Sequence, residues 1–189
     1  WAKGCNISPD DARRLSDKLL GRLGMTDFEL VSSQVAEPLT ERGNSAKRGR
    51  YEYKYIQVAD GIPLSSGEPD STGCTVAIDD RGVVDARLTR LELGESKIVN
   101  SRVMTLDDVL AVLQKKLAAA GLVKDSIVKE ISFEYMSVED PETYNSTVFP
   151  CWRFCIATTA TLEQYGEYEN DIIINAVTGE FYAVTNRYE

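Results

Sequence analysis

The stretch Thr105–Gly121, TLDDVLAVLQKKLAAAG, decides how this chain is read. Thr105 followed three residues later by Asp108 has the form of a capping box, in which a hydroxyl and a carboxylate satisfy the first free amides of a helix. Leu106, Val109, Leu110, Leu113 and Leu117 then recur at helical spacing, and Gly121 supplies a left-handed stop. The same pattern stands ninety-seven residues earlier, in Ser8–Gly24, SPDDARRLSDKLLGRLG. There Ser8 is the N-cap and Pro9 takes the first helical position. Asp10 and Asp11 suit the positive end of the helix dipole, Leu15, Leu19, Leu20 and Leu23 form the apolar stripe, and Gly24 ends it.

Reading outward from each helix gives strands. A strand is expected over Phe28–Ala36 and a polar loop from Pro38 to Arg50. Tyr51, Tyr53 and Tyr55 then alternate with Glu52 and Lys54 in the period-two pattern that places one aromatic face on a core. The density of Gly, Pro, Ser and Asp from Asp60 to Gly73 predicts a long loop. Cys74–Ile78, the turn Asp79-Asp80-Arg81-Gly82, and Val83–Leu93 read as a hairpin with Gly82 at the left-handed position. Asp79 and Asp80 are read as turn chemistry, because aspartate carboxylates bond nearby backbone amides. In the second half, strands are expected over Ile127–Val138 and Val148–Thr158, with a loop from Glu139 to Thr147. A hairpin through Thr178 and Gly179 joins Asp171–Ala176 to Glu180–Thr185. On the second of these strands Trp152 shares a face with Phe154 and Ile156 and is expected to anchor the core, while Cys151, Arg153 and Cys155 point the other way.

The fold class that follows is α+β: two similar halves, each one helix packed on an antiparallel sheet, in a repeated α-β-β-β-β order. At the offset of ninety-seven, Ser8 falls on Thr105, Asp10 and Asp11 on Asp107 and Asp108, Lys18 on Lys115, Gly24 on Gly121, Gly82 on Gly179 and Arg90 on Arg187. The division is expected near residues 94–104, giving repeats 1–97 and 98–189 as two domains or as one continuous domain.

Charge and composition narrow the function classes. The net charge of -9 opposes binding to nucleic acid or anionic lipid. The one basic cluster, Arg42, Lys47, Arg48 and Arg50, is interrupted by Gly43, Asn44, Ser45 and Gly49 and reads as a solvated loop. No apolar run reaches the roughly 18 residues that would cross a bilayer. The chain opens at Trp1, which leads us to expect a mature or trimmed chain whose export signal or anchor has been removed. With no histidine anywhere, serine-histidine and cysteine-histidine systems are excluded, as are most catalytic zinc sites.

The four cysteines, Cys5, Cys74, Cys151 and Cys155, lack C-x-x-C spacing and read as small buried hydrophobes in preference to a disulfide framework. Cys151 and Cys155 on one strand stand about 13 Å apart, beyond disulfide reach. Ser126 and Lys129 match S-x-x-K without the companion motifs of that chemistry. No nucleotide-binding glycine motif occurs, and the sequons at Asn6 and Asn145 are short enough to arise by chance. These readings assign no catalytic, cofactor or metal residue and leave the binding residues open. Thirty acidic residues keep a carboxylate pair available in principle.

YIQVADGIPL (55–64) followed by CTVAIDDRGVV (74–84), and FPCWRF (149–154) followed by INAVTGEF (174–181), resemble the YycH/YycI and PepSY-like extracytoplasmic regulatory proteins. In that pattern a "dG.P" loop leads into a hairpin, and "P.W" precedes a "dA.TGe" turn. Pro150 and Trp152 match the second element; Asn175, Ala176, Thr178, Gly179 and Glu180 match the third, with Asn175 replacing the commoner Asp. The resemblance implies repeated α+β modules outside the bacterial cytoplasmic membrane, tethered by an N-terminal segment absent from this chain, that act on another envelope protein or peptide without catalysis. The alternative is a carboxylate-based hydrolase acting on an envelope polymer such as glycan.

Overall fold

A computed structural model describes residues 2, 4–36, 40–41, 44–45, 49–65, 73–94, 102–119, 121, 126–139, 146–158 and 170–184. In chain order these form α1 (Pro9–Arg22), β1 (Phe28–Ala36), β2 (Thr40–Glu41), β3 (Asn44–Ser45), β4 (Arg50–Ala59), β5 (Ile62–Ser65), β6 (Gly73–Asp79) and β7 (Gly82–Thr89). There follow α2 (Leu106–Ala119), β8 (Ser126–Glu139), β9 (Ser146–Thr158), β10 (Asn170–Asn175) and β11 (Phe181–Val184). The class is α+β. The chain divides into one compact unit of Trp1–Gly61 with Thr72–Glu92 and another of Ile62–Ser71 with Leu93–Glu189.

In the first unit the Ser8 hydroxyl accepts from the Asp11 amide at 3.1 Å and donates to the Asp11 carboxylate at 2.7 Å, which fixes where α1 begins. Its end is set by Gly24 at φ +70°, a conformation that a side chain resists. Strands β1, β4, β6 and β7 lie side by side in that order, each antiparallel to the next. Ala12 and Leu20 of α1 pack on Tyr51, Tyr53, Tyr55, Cys74, Val76 and Ile78. The aromatic stripe is therefore core, and its hydroxyls are tied down. Tyr53 donates to the Pro9 carbonyl at 2.6 Å, Tyr55 to Ser16 Oγ at 2.8 Å, and Tyr51 accepts from the Ala2 amide at 3.1 Å. At Gly73 a β-carbon would stand 2.6 Å from the Tyr55 carbonyl oxygen, so the β4–β6 approach requires glycine there.

In the second unit Thr105 and Asp108 form the capping pair before α2, with the Thr105 hydroxyl donating to Asp108 at 2.9 Å. Strands β8, β9, β10 and β11 are consecutive antiparallel neighbours. One face of this sheet, with Phe154, Ile156 and Ile174, packs on Val109 and Leu113 of α2. The other carries Met136, Cys151 and Ile173, flanked by the Phe149–Tyr182 ring pair at 5.4 Å. Trp152 lies on the helix side as expected but is only half-buried; its ring meets Phe133 edge-on at 5.0 Å and its Nε1 donates to the Met104 carbonyl at 3.2 Å.

Three expectations need correction. The loop expected over 60–73 contains β5, which runs parallel to β8 with Leu64 opposite Tyr135 and Ser65 opposite Met136. Local turn composition conceals this strand, because pairing with a partner some seventy residues away stabilises it. The loop expected over 38–50 contains the short β2–β3 pair and the start of β4. The strand expected to run to Leu93 ends at Thr89. Of the loop placed between the middle strands of the second half, residues 140–145 lie outside the described residues.

Candidate functional site

Among the described residues, the greatest concentration of buried charge lies in the second unit, around Arg153. Arg153 is the one charge inside the apolar run VFPCWRFCIA and faces away from α2. Strand register places Glu134 of β8 opposite Cys151 and Asp171 of β10 opposite Cys155. Both carboxylates are thus diagonal neighbours of Arg153 on the same sheet face, one from each side. Arg153 Nε donates to Glu134 Oε1 at 2.6 Å and Nη1 to Asp171 Oδ2 at 2.6 Å. Its Nη2 donates to Ser65 Oγ at 3.0 Å, and that hydroxyl donates to Glu134 Oε1 at 3.2 Å. Side-chain exposure is 11% for Arg153, 8% for Glu134 and 1% for Asp171, so these are charge-assisted bonds out of water.

The electrostatics match a closed arrangement. Burial alone would lower the Arg153 pKa, but the Glu134 and Asp171 carboxylates outweigh it and hold the guanidinium above its ordinary value. Cys151, with its Sγ 3.9 Å from Glu134 Oε1, is pushed up to about 12 by burial and then by the neighbouring carboxylate. A thiol in that state is neither nucleophile nor ligand at neutral pH. Arg153 spends one N–H on each of three partners drawn from β10, β8 and β5, so the cluster joins four strands through one side chain.

Elsewhere Asp79, Asp80 and Asn175, together with Gln57, are also engaged by hydrogen bonds. Asp79 receives Nε and Nη2 of Arg81, the latter at 2.6 Å. Asp80 Oδ1 accepts the amides of Asn6 at 2.6 Å and Ile7 at 2.9 Å, pinning the lead-in to α1 onto the β6–β7 turn. Buried Gln57 donates to Asp27 at 2.9 Å and to the Leu91 carbonyl at 3.0 Å, while its oxygen accepts from the Leu91 amide at 2.8 Å. Asn175 Oδ1 accepts from the amides of Val177 and Thr178 at 2.8 and 3.0 Å, which makes the Thr178-Gly179 turn.

Of the basic cluster, Arg50 pairs with Glu52 at 2.6 Å; Arg42, Lys47 and Arg48 lie outside the described residues, as does Asn145. Ser126 and Lys129 lie in strand β8, not at a helix start. All four cysteines are buried, and none is in a disulfide. Among the described residues no group of three acidic or cysteine side chains could hold a metal, and no helix is long and apolar enough to cross a membrane.

The Arg153 cluster escaped the sequence reading. Its signal was available: a lone arginine within an apolar strand needs counter-charges on the neighbouring strands. Which acids supply them is set by register, and register is not visible in one strand.

No family model and no curated protein matches the sequence. Among solved structures, the fold matches a crystal structure of an uncharacterized protein from Eubacterium rectale, with a TM-score of 0.56 and 17% identity over 95% of this chain. The match covers 56% of that protein's own length, so this chain corresponds to a little over half of it. At that identity the likeness is one of fold.

Proposed function

We propose that this chain is a non-catalytic regulatory module of the bacterial cell envelope, acting outside the cytoplasmic membrane by binding another envelope protein or peptide. The observation that carries the reading is that the acidic side chains in and beside its sheets are engaged by cations or backbone amides, and that its thiols are held protonated by burial. Glu134 and Asp171 share Arg153, Asp79 holds Arg81, Asp80 holds two backbone amides, and the Cys151 and Cys74 thiols sit at about 12 and 11 because burial disfavours the thiolate. Acid–base or nucleophilic chemistry needs a group poised to exchange a proton or attack, and these groups are instead paired with cations, bonded to backbone amides or held as buried thiols.

The reading includes an internal duplication. In its favour, α1 and α2 occupy residues 9–22 and 106–119, which coincide at the offset of ninety-seven. The stops Gly24 and Gly121 have φ +70° and +73°, and the turn residues Gly82 and Gly179 have φ +104° and +70°. Each helix is followed by an antiparallel series, β1-β4-β6-β7 and β8-β9-β10-β11.

The test is made in the source bacterium with the native gene. A photo-crosslinking residue at Val31 or Val35, both exposed on β1, should capture one discrete envelope protein after cell fractionation. Recovery of the protein in the cytoplasmic fraction would overturn the reading. So would digestion of isolated cell-wall glycan that is lost in Glu134→Gln.

A further inference from the structure

We propose that β7 is a self-association edge, along which two copies of this chain pair antiparallel with Asp85 of each copy opposite the partner's Arg87. On one side β7 is bonded to β6; among the described residues no strand pairs with its other side. Val83–Thr89 are exposed throughout, including the apolar Val84 at 37% and Leu88 at 41%. A strand edge of this kind presents unpaired amides and carbonyls to any extended chain that fits.

The side-chain pattern selects the occupant. Asp85 lies opposite Ala77 and Arg87 opposite Thr75, which places both on one face. Ala86 lies opposite Val76 and Leu88 opposite Cys74, on the other face, toward α1. The register shift beside Ala77 leaves Val84 as the extra residue, so the alternation set by pairing with β6 runs from Asp85 to Thr89.

Two copies related by a two-fold axis through the sheet edge must bring residues of the same face opposite one another. An axis at Ala86 pairs Val84 with the partner's Leu88 and Asp85 with the partner's Arg87, each twice. An axis one residue earlier sets Asp85 against the partner's Asp85, and one residue later sets Arg87 against the partner's Arg87. Opposite charges directly across a strand pair stabilise it and like charges destabilise it, so one register is favoured over both neighbours. Charged residues on an edge normally repel other strands. Unlike charges two positions apart instead match their own copy. This inference stands apart from the proposed function and needs no envelope partner.

Sedimentation velocity of the purified chain over a concentration series tests it. The sedimentation coefficient should rise with concentration, as a weak dimer formed along one strand requires. Asp85→Arg and Arg87→Asp should each move the association midpoint at least about tenfold higher, since each places like charges opposite in both symmetry-related pairs. The double variant Asp85→Arg with Arg87→Asp should restore association to within about threefold of wild type. All four positions named in the pairing are exposed, and restoration by the double variant separates lost pairing from lost folding. A wild-type chain that stays monomeric to about 1 mM would overturn the proposal, as would a double variant no better than the singles. Capture of a different protein at β7 by a monomeric wild type would also overturn it and give the edge to that partner.

Discussion

Arg153 Nε stands 2.6 Å from Glu134 Oε1, a bond between β9 and β8 made where neither side chain is more than 11% exposed. The same guanidinium holds Asp171 on β10 and Ser65 on β5, so the register of four strands converges on one cation. Substituting Arg153→Met leaves two carboxylates buried without their counter-charge and should destabilise the protein by about 3 to 5 kcal/mol. Urea unfolding measures it. Adding Glu134→Gln and Asp171→Asn to the same chain should recover a large part of the loss, because the charges that needed compensation are gone. Failure of the triple variant to recover would mean that Arg153 acts through packing.

Trp152 is half-buried between Phe133 and α2, and its Nε1 donates to the Met104 carbonyl. Trp152→Phe keeps most of the apolar contact and removes that bond, at a cost of about 1 kcal/mol. Trp152→Ala also loses the ring and should cost about 3 kcal/mol, the lower end for a buried aromatic because the side chain retains some exposure. Equal costs for the two variants in urea would show that the hydrogen bond carries the contribution.

Asp79 is held below the ordinary aspartate value of 3.8, first by the side-chain bond from Arg81. Because its folded pKa is depressed, its contribution is fully present above the unfolded value and is lost as pH falls through the folded one. Stability should therefore decline below about pH 4 with a component that Asp79→Asn removes. Arg81 is 74% exposed, so solvent screens the pair and that component should be under about 1 kcal/mol. Thermal unfolding of both proteins from pH 7 downward gives the comparison. Parallel acid limbs would refute the assignment.

Cys151 is fully buried with its thiol pushed up to about 12. Native protein at pH 8 should leave it unmodified by iodoacetamide, while unfolding in guanidinium should expose it at once. Mass spectrometry of alkylated, non-reduced digests reads both this and the absence of a Cys151–Cys155 bridge. Modification of Cys151 at the rate of a free thiol would contradict the buried geometry.

The helix ends and the turns are legible in short stretches of sequence. Ser8 and Thr105 start helices because their hydroxyls satisfy amides three residues away, and Gly24, Gly82, Gly121 and Gly179 take φ values open to glycine. Such signals act over a few residues and are therefore legible along the chain. The tyrosine stripe of β4 could also be read, since alternation reports a buried face wherever the opposing layer lies.

Strand pairing and the partners of buried charge depend instead on segments far apart in the chain. Ile62–Ser65 becomes a strand because β8 pairs with it, which its turn-rich neighbours conceal. The carboxylates of Glu134 and Asp171, nineteen and eighteen residues from Arg153 along the chain, become its partners through the pairing of β9 with β8 and β10. Pairing and register are set by the whole sheet, where burial of one face and the cost of an uncompensated charge are settled together.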